Sequence, residues 1–262
     1  MRFSKYHGSG NDFILIDNRS RIIRNYKESE QLVSFLCNRR LGVGADGLML
    51  INSNTEFDFE MVYFNSDGKE GSMCGNGGRC IVAFALSLGM IKDKTNFIAV
   101  DGLHEAQILS ENPGIAVVRL KMADVSEYKK ASDHYEINTG SPHYVSFVEN
   151  PENTDVIALG RKIRYSNVFP EGTNVDFVSV NSENLYVRTY ERGVEDETLS
   201  CGTGVTASAI AAFLEGDFPS GSVDIKTRGG ELHVDFEKEG EIFRNVWLTG
   251  PATFVFKGEI VI

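Results

Sequence analysis

Short apolar runs, most of them alternating with polar residues, recur along the chain. FILID (13–17), GLMLINS (47–53), FEMVYFN (59–65), NFIAV (96–100), EAQILS (105–110) and IAVVRL (115–120) predict strands in the first half. HYVSFV, VDFVSV, NLYVRTYE, SVDIKTRG, ELHVDFE and IFRNVWLTG predict strands in the second, with the same enrichment in β-branched and aromatic residues. Helical spacing is rarer. SEQLVSFLCNRR (29–40) predicts an amphipathic helix with Ser29 at its N-cap and Cys37 among its apolar positions. Two longer apolar stretches, 75–89 and 202–215, each open directly after a cysteine.

That coincidence points to an internal repeat. A shift of 127 residues lays FNSDGKEGSMCGNGGRCIVAFAL (64–86) over ERGVEDETLSCGTGVTASAIAAF (191–213), matching Glu70 to Glu197, Cys74 to Cys201, Gly75 to Gly202 and Gly77 to Gly204. Each copy reads as strand, polar turn, Cys-Gly-x-Gly, apolar helix. The chain is therefore expected to form two similar α+β halves that meet near residues 111–120, with no flexible linker.

A cysteine at the first turn of a helix sits where unpaired N–H groups and the helix dipole favour negative charge. Such a position predicts a thiol drawn from its ordinary ~8.5 toward neutrality, where sulfur can take or give a proton. The glycines that follow let backbone N–H groups approach a carboxylate closely. Two such motifs facing each other across a cleft would offer one sulfur to each face of a bound carbon, as a cofactor-independent racemase or epimerase requires. A redox pair made of Cys74 and Cys201 is the alternative from another class. An isolated Cys-Gly-x-Gly would read as a buried structural cysteine, and Cys80, six residues beyond Cys74, is expected in the core.

Composition narrows the function classes. The chain has 262 residues, 42% hydrophobic and 24% charged, with no repetitive or proline-rich segment, as in a globular protein. A net charge of -11 and a pI near 5.0 argue against nucleic acid or an acidic membrane as partner. The most apolar stretch, IVAFALSLGMI, is too short to span a bilayer and contains Ser87 and Gly89. The N-terminal MRFSKYHGSGNDF lacks a signal-peptide core, so the expected location is the cytoplasm, where Cys37, Cys74, Cys80 and Cys201 stay thiols. No metal is expected, because no Cys-x-x-Cys occurs and His7, His104, His134, His143 and His233 show no ligand spacing. GVGADG (42–47) matches G-x-G-x-x-G by letter, but a strand follows where a dinucleotide fingerprint needs a helix, so it reads as a turn. No Walker sequence and no distinct pyridoxal phosphate lysine stand out.

The set of motifs resembles the diaminopimelate epimerases nearly end to end: FSKYHGSGNDFILID, GVGADGLM, FNSDG, MCGNGGRC, TGSPHYV, GTNVDFV, YERGVEDETLSCGTG and LTGPATFVFKGEI occur in the family's order. The resemblance implies an α+β fold of two pseudo-symmetric domains, each a mostly antiparallel sheet or barrel around a central helix. It divides the chain into 1–116 with the C-terminal strand at about 251–262, carrying Cys74, and 117–250, carrying Cys201. It implies epimerisation of L,L-diaminopimelate to the meso form without cofactor, in lysine and cell-wall precursor biosynthesis, by a homodimer. Cys74 and Cys201 would be proton acceptor and donor, with His143 and Glu191 tuning them. Gly75, Asn76, Gly202 and Thr203 would hold the reacting carboxylate; Asn11, Asn65, Asn174, Glu191 and Arg192 would bind the rest of the substrate.

Three positions depart from the family's pattern. Ser141 stands where the family often has Asn before Pro-His, Gly47 where some members carry a substrate-contacting Gln, and Phe256 where a tyrosine supports dimer formation in some members. Racemisation of another amino acid, such as proline, is the alternative within the fold. Glu191 and Arg192 speak against it, because only a substrate with a distal amino-acid group needs both an acid and a guanidinium there.

Overall fold

A computed structural model describes residues 1–24, 29–71 and 73–261. The contacts divide the chain into two units: residues 1–120 with 250–262, and residues 121–249. The boundary between them falls in the strand β7 (Ile115–Lys121).

In the first unit the strands β1 (Arg2–Gly8), β2 (Asn11–Asp17), β3 (Gly47–Asn52), β4 (Phe59–Asn65), β5 (Lys94–Ala99), β6 (Gly102–Asn112) and β7 pair in sequence order. The last strand, β16 (Ile242–Glu259), pairs with β7 through residues 250–253 and with β1 through residues 253–259, so the sheet closes on itself. All neighbouring pairs are antiparallel except β2 with β3 and β4 with β5. Helix α2 (Gly75–Ser87) contacts β1, β2, β3 and β6 and is buried from Gly75 to Ala85. It is apolar on nearly every side because it is enclosed. Helix α1 (Glu30–Cys37) packs on the opposite face, where Val33, Leu36 and the buried Cys37 meet Ile14, Ile16, Leu48, Leu50, Val62 and Phe64. Strands β2 and β3 lie between the two helices, since Phe13 and Met49 reach Gly77 of α2. That double burial explains the unbroken apolar run FILI.

The second unit repeats the plan. Its strands are β8 (Tyr128–Lys130), β9 (Tyr135–Asn138), β10 (Pro142–Phe147), β11 (Asn174–Val180), β12 (Asn184–Glu191), β14 (Ser222–Thr227), β15 (Gly230–Glu239) and the first half of β16, paired in the order 8-9-10-11-12-14-15-16. The short β13 (Asp196–Thr198) adds to β12, and Val125 exchanges both backbone hydrogen bonds with Phe243 of β16, returning the chain to the far edge. Helix α4 (Gly202–Glu215) contacts β9, β10, β11, β12, β14 and β15 and is buried almost throughout. Helix α3 (Val156–Arg164) packs on β11 and β12, where a Cβ at Gly160 would come within 2.4 Å of Tyr190.

Helices α2 and α4 start at Gly75 and Gly202, the offset of the sequence repeat. Both central helices are preceded by a strand and followed by an antiparallel meander, so the architecture is α+β in each unit. GVGADG forms the turn into β3, and Cys80 is fully buried. Among the described residues no helix is long and apolar enough to cross a membrane, and no cluster of potential metal ligands occurs. Ile262, the end of the expected C-terminal strand, lies outside the described residues.

Candidate active site at two cysteine-capped helices

In the first unit Cys74 is the N-cap of α2, half-buried, with extended backbone. Its sulfur lies 3.7 Å from Asn11 Oδ1. Asn11 Nδ2 donates to Asp46 Oδ2 at 2.7 Å, which turns the amide oxygen toward the thiol. Asp46 is itself held by Arg39, and Arg39 together with Lys5 holds Asp12. Those two cations keep the Asp12 carboxyl well below the usual carboxylate range, overcoming the opposing effect of its burial. Gly47 and Asn65 pair across β3 and β4, and Phe13 pairs with Gly47, so Asn11, Gly47 and Asn65 share one end of the sheet. Asn65 is exposed there.

The floor of α2 carries a charge that sequence reasoning missed. Arg79 is wholly buried, and its guanidinium donates to Gly75 O (3.2 Å), Asn76 Oδ1 (2.9 Å), Ser9 Oγ (3.3 Å) and Pro251 O (3.5 Å), all neutral acceptors. Burial draws the guanidinium down from its ordinary value, and the sulfurs of Cys80 and Cys74 oppose that shift. Arg79 thereby fixes Gly75 and Asn76, the first turn of α2, while placing a cation behind Cys74.

Gly47 is explained by its neighbour. A Cβ there would fall 2.5 Å from the Tyr63 ring and 2.7 Å from Phe64 O, so the ring occupies the space a side chain at residue 47 would need.

In the second unit Cys201 is the N-cap of α4 and only 7% exposed. Its sulfur is 3.3 Å from Thr203 Oγ1, which is 2.9 Å from His143 Nε2. His143 Nδ1 is 2.7 Å from Asp176 Oδ2, and Asp176 Oδ1 accepts from the Thr189 hydroxyl at 2.7 Å. His143, on β10, and Asp176, on β11, are both buried. The thiol of Cys201 does not follow the expectation of a value drawn toward neutrality. Burial pushes it well above its ordinary value, and the Glu191 and Asp176 carboxylates push it further. The Thr203 hydroxyl and the Gly204 N–H pull only partly against them.

The remaining residues form one cluster with this helix end. Asn174, paired with His143 across β10 and β11, donates through Nδ2 to Ser141 Oγ (2.8 Å) and Pro142 O (3.0 Å) and accepts from the Arg192 N–H (2.9 Å). The Arg192 guanidinium reaches Glu171 O at 3.2 Å and Ser141 Oγ at 3.5 Å. Ser141 thus links Asn174 to Arg192. Glu191 ends β12 beside them. Thr139 Oγ1 donates to Thr203 O at 3.0 Å, bracing the first turn of α4. Phe256, on β16, is 44% exposed, its ring edge-on to Phe3.

The sequence model described as "Diaminopimelate epimerase" matches residues 3–126 and 135–255. The chain belongs to the diaminopimelate epimerase family. A diaminopimelate epimerase of Flavobacterium psychrophilum is 51% identical, with 99% of this chain and 100% of that protein covered. One from Aquifex aeolicus is 42% identical over 99% and 98%. Among solved structures, a phenazine biosynthesis protein of the PhzF family from Bacillus anthracis is similar with TM-score 0.79 at 14% identity, covering 100% of this chain and 99% of that one. A hydroxyproline epimerase from Agrobacterium vitis is similar with TM-score 0.71 at 16% identity, over 98% and 91%. At such identities the likeness is one of fold. The fold of this chain is thus found in proteins of very different sequence.

Asp176, Thr189, Thr139, Arg79 and Asp46 were not singled out by the sequence. The one available signal was the acid in NVDFVSV, a charged residue inside a strand that is otherwise apolar at its core.

Proposed function

We propose that this protein is an isomerase that interconverts L,L- and meso-diaminopimelate, with Cys74 and Cys201 as the proton-transferring pair. The observation that carries this reading is the repeated placement of a cysteine at the N-cap of an enclosed helix, once in each unit, in a chain of this family. The thiolate of one cysteine removes the α-proton, breaking C–H and forming S–H. The thiol of the other delivers its proton to the opposite face, forming the new C–H bond and leaving a thiolate. The net result is inversion, and the cysteines exchange roles when the reaction runs backward.

The α-carboxylate, which takes up charge as the proton leaves, binds the backbone N–H groups of Gly75, Asn76, Gly202 and Thr203, where helix dipoles and unpaired donors favour an anion. Asn11, Asn65, Asn174, Glu191 and Arg192 bind the remainder of the substrate, with Arg192 gripping the distal carboxylate and Glu191 the distal ammonium. Ser141 contributes by fixing Asn174 and Arg192. Gly47 has no side chain to contribute, and Tyr63 takes its space. His143 and Glu191 set the acidity of the sulfurs. The two domains, residues 1–116 with 251–262 and residues 117–250, are the two halves of the enzyme. The protein acts in the cytoplasm as a homodimer with Phe256 at the dimer contact, uses no pyridoxal phosphate or other cofactor, and supplies lysine and peptidoglycan precursors.

The test is direct. Purified protein under reducing conditions, with L,L-diaminopimelate in deuterated water and no added cofactor, is expected to form the meso isomer with deuterium at the inverted carbon. Absence of both product and α-exchange overturns the reading, and turnover of proline instead moves the substrate to a cyclic amino acid.

A further inference from the structure

The Cys201 thiol stands at the head of a buried chain of hydrogen bonds: Sγ to Thr203 Oγ1, Oγ1 to His143 Nε2, His143 Nδ1 to Asp176 Oδ2, and Thr189 Oγ1 to Asp176 Oδ1. Thr189 donates to the carboxylate in any case, and the direction of the bonds between the imidazole and the sulfur depends on which imidazole nitrogen carries the proton. A carboxylate only accepts, and both Asp176 oxygens are engaged, so the bond at Oδ2 requires His143 to donate through Nδ1. With Nδ1–H as the one ring proton, Nε2 is an acceptor and takes the Thr203 hydroxyl proton. With its own proton committed, Thr203 Oγ1 faces the sulfur with a lone pair.

We propose that Asp176 is a positioning residue, whose carboxylate fixes the Nδ1–H tautomer of His143 and so, through the Thr203 hydroxyl, holds Cys201 as a thiol that donates to Oγ1. The assignment deepens the epimerase reading, on which its effect on turnover rests. It makes Cys201 the proton-loaded member of the pair in the ligand-free protein. The chain ends blind at Thr189, itself buried, so it sets direction and does not conduct protons to solvent. Of the groups facing the sulfur, Asp176 on β11 and Glu191 on β12 disfavour a thiolate, and the Gly204 N–H in the first turn of α4 pulls partly against them. His143 on β10 reaches it only through Thr203, whose hydroxyl favours a thiolate only when its proton is free.

The backbone is shaped around the carboxylate. A Cβ at Gly204 would lie 2.4 Å from Asp176 Oδ1 and 3.2 Å from Thr189 Oγ1, so the first turn of α4 is pressed onto Asp176 and holds it against His143.

Three measurements on the full-length, reduced protein test the assignment: ring 15N shifts of His143, the pH profile of iodoacetamide alkylation at Cys201 with Cys74 as internal reference, and the kinetics with diaminopimelate. The wild type is expected to show a protonated Nδ1 and an unprotonated Nε2. In Asp176→Asn the tautomer is released, the Thr203 hydroxyl is free to donate to sulfur, and the alkylation midpoint of Cys201 falls by about one pH unit, or about tenfold in rate below it. Cys74 does not change, and kcat falls at least about tenfold with KM retained. A protonated Nε2 in the wild type overturns the proposal, as does a folded Asp176→Asn protein with wild-type ring shifts and alkylation profile. Should that variant not fold, Thr203→Val serves: His143 keeps its tautomer while the Cys201 profile shifts, and an unmoved profile overturns the link. The ring shifts and alkylation need no turnover, so a wild type inactive on diaminopimelate defeats the function without deciding the positioning role.

Discussion

The two cysteine-capped helices share a backbone plan and differ in the charge placed around it. Behind Cys74 lies Arg79, a wholly buried guanidinium whose hydrogen bonds among the described residues go to neutral oxygens, and in front of it the Asn11 amide. Around Cys201 lie two carboxylates, Asp176 and Glu191, and a hydroxyl–imidazole chain. The hydroxyls inside α4 bond back to their own helix, Thr206 to Gly202 O and Ser208 to Gly204 O, whereas Arg79 of α2 reaches beyond its helix to Ser9 and Pro251. Duplication thus kept the cap, the glycines and the apolar enclosure, and the polar shell diverged. A buried cation favours an anion beside it and buried carboxylates disfavour one, so two geometrically equivalent sulfurs are chemically unequal.

The largest effect should come from removing either sulfur. Cys74→Ala and Cys201→Ala are each expected to lower epimerisation by more than about a thousandfold in both directions with the fold intact, measured by product formation and circular dichroism. Substantial turnover by one of them would mean a single sulfur suffices and the comparison has no functional content.

The equivalent glycines provide a sharper contrast. A Cβ at Gly204 meets the clamped Asp176 carboxylate, whereas one at Gly77 meets the free end of the Met49 side chain at 2.1 Å. Gly204→Ala is expected to destabilise by about 1–3 kcal/mol and impair turnover, and Gly77→Ala by less than half as much, since Met49 can swing aside. Equal losses in thermal denaturation would show that the first turns are equally constrained.

Removal of the buried cation should separate the sulfurs themselves. Arg79→Met is expected to slow iodoacetamide alkylation of Cys74 about tenfold at neutral pH, with Cys201 unchanged and Arg79→Lys intermediate. A uniform change at both cysteines would trace the effect to general loosening.

The smallest effect isolates burial from charge. Burial pushes the Cys37 thiol up to about 12, and it also raises Cys201. From about pH 9 upward the unfolded chain releases a proton that folded Cys37 retains, so its contribution to stability is complete below that pH and declines above it. The slope is about 1.4 kcal/mol per pH unit for each such thiol, and Cys37→Ala should flatten the alkaline decline in urea titrations by that amount.

Much of the architecture was legible because its strands alternate or run apolar at strand length. FEMVYFN and NLYVRTYE became β4 and β12 at the expected residues, and the paired Cys-Gly-x-Gly marked both helix starts. Strand β1 was hidden by Lys5, a lysine at a buried position whose ammonium is matched by Asp12, a partner the strand itself does not reveal. Helix α3 was hidden by Gly160, a poor helix former required by the Tyr190 ring pressed against it. The site residues with motif neighbours could be read. Asp176 and Arg79 could not, because their significance lies in which nitrogen or which sulfur they stand beside, and that is decided by strands and turns distant in sequence.

The eighteen-residue β16 pairs through its first half with β15 of the second unit and through its second half with β7 and β1 of the first. During synthesis, the ring that encloses α2 therefore stays open until residues 250–259 have left the ribosome, after the whole second unit has been made. Until then β1 and β7 present unpaired edges, so a ribosome stalled before Gly250 would release a nascent chain with its first half ready to associate with another copy.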